Sequence, residues 1–326
     1  MMRAVVAEGI SNPQDLNVVE LPEPVPGPGQ VRIDVKATAL NFADSLIISH
    51  KYQLKPDFPF SPGFEVAGIV SGIGDGVTDF EVGARVIATM DYGAYREQVT
   101  VEDYLAHPIP EGLDYVTAAA FPVAYGTSYV GLLRRSHLNS GETVLVHGAA
   151  GGVGLTAVEI AKASGAHVIA TASSDEKCEI TKSRGADLAI NLSKTPEFRD
   201  QVKSFTNGNG ADVIYDPVGG DVFDQSLRCV NWGGRILIIG FAAGRIPQIP
   251  SNILLVKSCS AIGVFWSSHR RREPMTLRED YHQLFSWHSE GKLKPLIGAT
   301  FPLERAGDAL DALLSRKVAG KIVLEV

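Results

Sequence analysis

Apolar and polar positions alternate over short stretches in the first 110 or so residues: Arg3–Ala7, Gln30–Ala37, Val66–Ile73 and Arg85–Thr89 are β-branched or alternating runs between turn signals such as Pro26-Gly27-Pro28-Gly29. This pattern predicts an irregular β domain. From Asp114 the texture changes, with helical patterns at Ala118–Ala120 and Ser128–Leu133 and then a regular alternation. Strand patterns at Thr143–His147, His167–Thr171, Leu188–Ile190, Val213–Tyr215, Arg235–Ile239 and Ala261–Val264 alternate with helical ones at Gly152–Ala163, Asp175–Arg184, Pro196–Thr206 and Val222–Val230. Repeated βα units predict a doubly wound parallel sheet with ligand at the carboxyl ends of its strands. A helix is expected around Tyr281–Glu290, and the strands Ile297–Phe301 and Lys321–Val326 flank a helix at Arg305–Leu314. So short a tail makes a poor core of its own and is expected to rejoin the first domain. The expected division is 1–124 with 295–326, and 125–294 inserted between them.

Composition narrows the class. The 326 residues exceed the ~100–200 of one domain, and 30 basic against 37 acidic side chains leave a net charge of −7. That balance disfavours a phosphate-tracking surface, so nucleic acid is an unexpected partner. Cys178, Cys229 and Cys259 are widely spaced and form no CxxC, so neither a zinc knuckle nor a dithiol pair is available. The least polar stretch, Val116 to Leu133, is broken by Thr117, Pro122, Gly126 and Ser128, which argues against a membrane span. Arg3 and Glu8 flank an apolar run too short for a signal peptide, and a cytoplasmic protein is expected.

The sharpest motif runs from Val144 through His147-Gly148-Ala149-Ala150-Gly151-Gly152-Val153-Gly154 into a helix. Glycines that leave a strand, open a helix and begin a series of βα units form a dinucleotide pyrophosphate turn. Gly151 admits the backbone to the pyrophosphate, Gly154 allows close helix packing, and the free N–H groups at Ala150–Gly154 offer a positive dipole end. Ala149 replaces the first glycine of the pattern, which is tolerated at negative φ. No carboxylate ends the second strand; Ser173 and Ser174 stand there instead, with Lys177 one turn into the next helix. Hydroxyls and an ammonium suit a 2′-phosphate, so NADPH is expected over NADH. Asp175 lies near enough to weaken that site, and Ser173–Glu176 also reads as a capping box.

These residues, with Asn41-Phe42-Ala43-Asp44, Pro62 to Gly68, Asp216-Pro217-Val218-Gly219-Gly220 and Gly320-Lys321-Ile322-Val323-Leu324, resemble the medium-chain dehydrogenase/reductase superfamily. The chain is most similar to its zinc-free NADPH:quinone oxidoreductase group related to ζ-crystallin, including the quinone oxidoreductase-like subgroup. The resemblance implies an α/β protein: a GroES-like irregular β catalytic domain plus a Rossmann coenzyme domain, often a homodimer. Zinc enzymes of this superfamily carry cysteine at Asn41, histidine at Phe64 and a third ligand near Pro122, so the resemblance implies no zinc. It also implies that Asn41 and Thr127 hold the nicotinamide end, and that Val218, Gly240 and Phe241 line the cofactor. Phe265 and Trp266 would border the nicotinamide or substrate, and Lys321 would reach the cofactor phosphates. Asp44 and Glu65 would orient backbone and neighbouring side chains.

Hydride transfer without a metal requires an acceptor that needs little electrophilic help, such as a quinone, or an enone, enal or enoyl thioester whose enolate oxygen receives a hydrogen bond. Tyr52 is the candidate donor, with Asn41 positioning; a second tyrosine of the related reductases corresponds to Leu46. Tyr92 and Tyr125 are lesser candidates. The run His269-Arg270-Arg271-Arg272 could capture a phosphate-bearing acceptor, but is expected to be a solvated loop pairing with Glu273 or Asp280. The expected function is an NADPH-dependent quinone oxidoreductase. The alternatives are an enoyl reductase and a non-enzymatic dinucleotide-binding structural or RNA-binding protein.

Overall fold

The computed structural model describes residues 1–326. Elements run β1 (Met2–Val6), β2 (Asn17–Leu21), β3 (Gln30–Ala39), α1 (Phe42–Ile48), β4 (Glu65–Ile73), β5 (Arg85–Thr89), β6 (Gln98–Glu102), β7 (Ala106–Pro108), α2 (Tyr115–Ala119) and α3 (Pro122–Tyr129). They continue β8 (Thr143–Val146), α4 (Gly152–Ala163), β9 (His167–Ala172), α5 (Asp175–Ser183), β10 (Leu188–Asn191), α6 (Arg199–Phe205), β11 (Ala211–Asp216), α7 (Gly220–Cys229) and β12 (Val230–Ile238). The chain ends with α8 (Ser251–Lys257), β13 (Ser260–Gly263), α9 (Trp266–Arg272), α10 (Pro274–Ser289), β14 (Ile297–Pro302), α11 (Ala306–Leu314) and β15 (Lys321–Glu325).

Two compact units form: unit 1 is Met1–Val123, Ser267–Tyr281 and Pro295–Val326, and unit 2 is Ala124–Trp266 and His282–Lys294. Ser267–Tyr281, expected within 125–294, groups with unit 1 because it is anchored there. Arg270 pairs with Asp91, the Tyr281 hydroxyl donates to the Pro122 carbonyl at 3.2 Å, and the Tyr281 ring lies 4.6 Å from that of His107. α6 starts at Arg199 rather than at Pro196, and α8 and α9 arise where no helix was expected.

Unit 1 carries a seven-stranded sheet ordered β14-β15-β3-β4-β5-β7, with β6 also paired to β3. Shifts in the β3–β4 register between Arg32 and Ile33 and between Val35 and Ala37 account for its irregular look in sequence. Val31, Ile33, Val66, Val70, Val86, Ile322 and Leu324 supply the core, closed by Leu310 of α11.

Unit 2 carries a six-stranded sheet ordered β10-β9-β8-β11-β12-β13, with every neighbouring pair parallel. The order reverses between β8 and β11, which is where a doubly wound sheet opens a crevice. Leu145, Ile169, Ile214, Ile236, Phe223 and Leu227 form one core layer. α4 is short but buried from Gly154 to Ala161, so packing rather than propensity holds it.

Candidate active site

In unit 2 the segment between β8 and α4 turns the chain from the sheet's carboxyl edge into a helix. Gly148 has φ +56°, a conformation glycine adopts without penalty. The Ala149 amide donates to the Thr171 carbonyl at 3.0 Å, and the Gly151 amide to the Gly148 carbonyl at 2.9 Å. A Cβ on Gly154 would stand 2.2 Å from the Gly148 oxygen, so only glycine lets α4 start this close to the turn; at Gly151 the corresponding distance is 3.3 Å. Ala150, Gly151, Gly152, Val153 and Gly154 thus form the mouth of a buried helix; the Gly151 N–H is taken by Gly148, and the N–H groups of the first helical turn favour an anion.

His147 braces this turn from beneath. Its Nδ1 is 3.0 Å from Thr171 Oγ1 and its Nε2 is 2.8 Å from Ser226 Oγ, tying the ends of β8 and β9 to α7. Burial pushes the imidazole down to about 4, so it is neutral at pH 7. At the end of β11, Asp216 Oδ1 accepts from the Val218 and Gly219 amides at 2.7 and 2.9 Å and shapes the next loop. Val218 reaches the phosphate turn, since a Cβ on Gly148 would meet its Cγ2 at 3.3 Å, and Phe241 packs against Gly219. The Gly240 amide bonds back to the Asp216 carbonyl at 3.4 Å. Val218, Gly240 and Phe241 are therefore gathered beside the turn. Thr127 is buried on α3, Phe265 is half-buried, and Trp266 is buried with its Nε1 against Gly126. Tyr125 is turned away into a network in which its hydroxyl donates to Glu159 at 2.5 Å and Arg184 pairs with the same carboxylate at 3.0 Å.

Beyond β9, Ser173 is exposed, and Ser174 caps α5 by accepting from the Lys177 amide at 3.3 Å; the Lys177 side chain is half-buried. Asp175, which threatened the phosphate site on sequence grounds, is held by Asn191 Nδ2 at 2.7 Å and Lys194 Nζ at 2.5 Å. Those partners lie 16 and 19 residues on, at the end of β10 and just beyond it, and no local motif announces them.

Unit 1 presents a different kind of site. Asn41 and Asp44 cap α1 reciprocally, with the Asn41 amide donating to Asp44 Oδ2 at 2.7 Å. Asp44 also accepts from the Gly63 amide at 3.2 Å and the Tyr95 hydroxyl at 3.0 Å, while burial pushes its carboxyl up to about 7. The Asn41 Nδ2 donates to Glu65 Oε1 at 2.7 Å, and the Val123 amide donates to Glu65 Oε2 at 2.7 Å. Lys321, expected at the cofactor phosphates, lies buried in unit 1. Its ammonium donates to the Leu40 carbonyl at 2.7 Å, Asn41 Oδ1 at 2.7 Å and Glu65 Oε1 at 2.9 Å. All three ammonium hydrogens are matched there, because β15 lies beside β3 and a buried carboxylate draws the cation inward.

Tyr52 follows α1. Its amide bonds to the Leu46 carbonyl at 3.2 Å, and its ring meets Phe64 edge-on with centroids 5.7 Å apart. Burial raises the pKa of its hydroxyl, against the opposing pull of a hydrogen bond with Ser267, so it remains protonated. The basic run departs from its expected loop. Arg270 lies on α9, only 2% exposed, and pairs with Asp91 rather than with Glu273 or Asp280. Arg271 reaches the same carboxylate at 3.5 Å. Tyr92 is exposed and edge-on to Phe60. No helix is long and apolar enough to cross a membrane.

Two family models match: an alcohol dehydrogenase GroES-like domain over residues 27–111 and a zinc-binding dehydrogenase over 152–287. The chain is 43% identical to a quinone oxidoreductase-like protein 2 homolog of Nematostella vectensis over 91% of this chain and 82% of that protein. It is 32% identical to the quinone oxidoreductase of Homo sapiens, over 99% of this chain and 98% of that one. The crystal structure of Escherichia coli quinone oxidoreductase complexed with NADPH superposes with a TM-score of 0.92 at 30% identity, covering 99% of this chain and 100% of that one. The donor set at the superseded metal position does not fit zinc: Phe64 has no lone pair to give, and the Asn41 amide oxygen already receives an ammonium. With both units matched and relatives aligned over nearly the whole length, the chain belongs to the medium-chain dehydrogenase/reductase superfamily and fits its zinc-free quinone oxidoreductase family.

Proposed function

We propose that the chain is an NADPH-dependent, zinc-independent reductase that passes hydride to a quinone. The observation that carries this reading is the end of β9, where Ser173, Ser174 and Lys177 stand and Asp175 is drawn into an ion pair with Lys194. An adenosine 2′-phosphate finds hydroxyls and positive charge there, and a bare 2′-hydroxyl finds no carboxylate to hold it. The crystal complex of the Escherichia coli relative with NADPH supports the same choice. When bound, the dinucleotide would supply hydride from its nicotinamide C4.

The chain's own residues supply the rest. The helix mouth at Ala150–Gly154 binds the pyrophosphate, and Val218, Gly240, Phe241, Phe265, Trp266 and Thr127 wall the cofactor. Tyr52 donates a hydrogen bond to the acceptor oxygen, and Asn41 shapes the loop before it. An amide and a phenyl ring at the metal-ligand positions restrict the chemistry to acceptors that are electrophilic without a Lewis acid, and quinones meet that condition. The same Tyr52 hydroxyl would stabilise an enolate oxygen, which keeps enoyl reduction of 2-alkenals, enones or enoyl thioesters as the second reading. Exposed Leu255 and Val256 on α8, with Trp232 and the open edge of β13, support a homodimer. A cytoplasmic location belongs to this proposal.

Stopped-flow oxidation of NADPH and of NADH, with 1,4-benzoquinone and with crotonyl-CoA, tests it. Fast oxidation of NADPH by the quinone is expected. Turnover with the thioester alone transfers the assignment to enoyl reduction, and an equal rate from NADH overturns the 2′-phosphate site.

A further inference from the structure

Within unit 2, residues 124–129 of α3 meet α4 along a buried seam of polar groups. On α4 the participants are Val153, Thr156 and Glu159, spaced by three residues and so on one face of the helix. The Ser128 hydroxyl lies 2.9 Å from the Val153 carbonyl, 2.8 Å from Thr156 Oγ1 and 2.9 Å from the Tyr215 hydroxyl. Thr156 Oγ1 in turn donates to the Ala124 carbonyl at 3.1 Å. Every hydroxyl proton finds an acceptor on this path. Tyr215, kept protonated by burial, donates to Ser128; Ser128 shares its proton between Val153 and Thr156, and Thr156 donates to Ala124. Three residues before Ser128, Tyr125 bonds to Glu159, which also accepts from the Lys294 amide at 3.2 Å.

What the seam joins gives it a use. Val153 belongs to the helix mouth that receives the pyrophosphate, and Ser128 follows Thr127, which the reductase reading seats at the nicotinamide end. Beyond Ser128, α3 runs on into a π-helical turn, Val130–Arg135, and the Tyr215 ring lies against Gly131 of that turn. Such turns are rare and gather at functional sites. A fully matched buried network holds the elements it spans in one arrangement.

We propose that Ser128, with Thr156 and Tyr215, is a positioning residue: the seam fixes the register between Thr127 and the mouth at Ala150–Gly154, so that both ends of one dinucleotide are held at once. This rests on the reductase reading and adds to it residues that act through Thr127 and the mouth rather than on the cofactor. Two subsites held in register reward a ligand that spans them, and a ligand confined to one subsite gains nothing from the register.

Calorimetric titration with NADPH and with adenosine 2′,5′-bisphosphate, the half of the cofactor that reaches the mouth but not α3, tests the proposal. The double variant Ser128→Ala/Tyr215→Phe removes two hydroxyls without orphaning a donor, and Thr156→Val removes the third with little change of shape. Each should bind NADPH about fivefold or more weaker, the scale of one net hydrogen bond. Each should hold adenosine 2′,5′-bisphosphate within about twofold of the unsubstituted protein. Thr156→Ser, which keeps the hydroxyl, should bind NADPH as the unsubstituted protein does. An equal loss for both ligands means that the mouth itself has loosened, and it overturns the proposal; so does an NADPH affinity unchanged in either variant. Where one variant fails to fold, the other decides. NADPH that does not bind the unsubstituted protein removes the cofactor reading and the role of the seam with it, whereas an outcome confined to the variants bears on the seam alone.

Discussion

Lys321 and Glu65 form the most deeply buried ion pair in the chain, with side-chain exposures of 7% and 0%. Such a pair owes its persistence to the penalty of separating it, because either partner left alone is a charge without solvent. Lys321→Met should therefore destabilise unit 1 by about 3–5 kcal/mol, read from urea unfolding. Adding Glu65→Gln should restore part of the loss; a single substitution that shifts the midpoint negligibly would show that the pair is dispensable. The position illustrates what one sequence can convey. Lys321 was legible as a charged residue in a specific motif, but its direction was not. The carboxylate that turns it inward is 256 residues away, and only the pairing of β15 with β3 brings the two together.

At the scale of elements, the strand-turn-helix of β8 and α4 was readable almost to the residue, because glycine spacing and a period change are local signals. α9 was not, since three consecutive arginines suggest solvent unless a distant Asp91 is known to receive one of them. Asp175 is a similar case: its neutralisation depends on Lys194 across β10. The phosphate turn yields the sharpest element-level test. Gly154→Ala places a methyl 2.2 Å from the Gly148 oxygen, whereas Gly151→Ala meets the same oxygen at 3.3 Å. The first should weaken NADPH binding by about tenfold or more, the scale of a 1–2 kcal/mol distortion, and the second by much less, as measured by calorimetric titration. Equal affinities for the two variants would mean that the turn yields without resistance.

For the whole molecule, pH acts on the two units through different groups. His147 in unit 2 and His107 in unit 1 are each pushed down to about 4 by burial, against an ordinary 6.5. The unfolded chain then binds more protons between pH 4 and 6.5. Their contribution is complete above 6.5 and is lost as pH falls through 4, about 3 kcal/mol for each. Asp44, raised to about 7, acts oppositely: its contribution is present below 3.8 and is lost as pH rises through 7. His147→Gln should accordingly flatten the fall in the thermal midpoint between pH 6.5 and 4.5 relative to the unsubstituted protein. Parallel profiles for the two proteins would deny His147 that role.

The discontinuity of unit 1 also orders events in time. β15 is the inner neighbour of both β14 and β3, yet it is synthesised after every other strand of its sheet. Unit 2 needs nothing beyond Lys294, so it can close while translation continues. Until residues 321–325 leave the ribosome, β3 is unpaired over Ala37–Ala39 on the side away from β4, and Glu65 lacks its cation. Between the completion of unit 2 and the arrival of β15, the nascent chain thus exposes this edge to aggregation and depends most on chaperones.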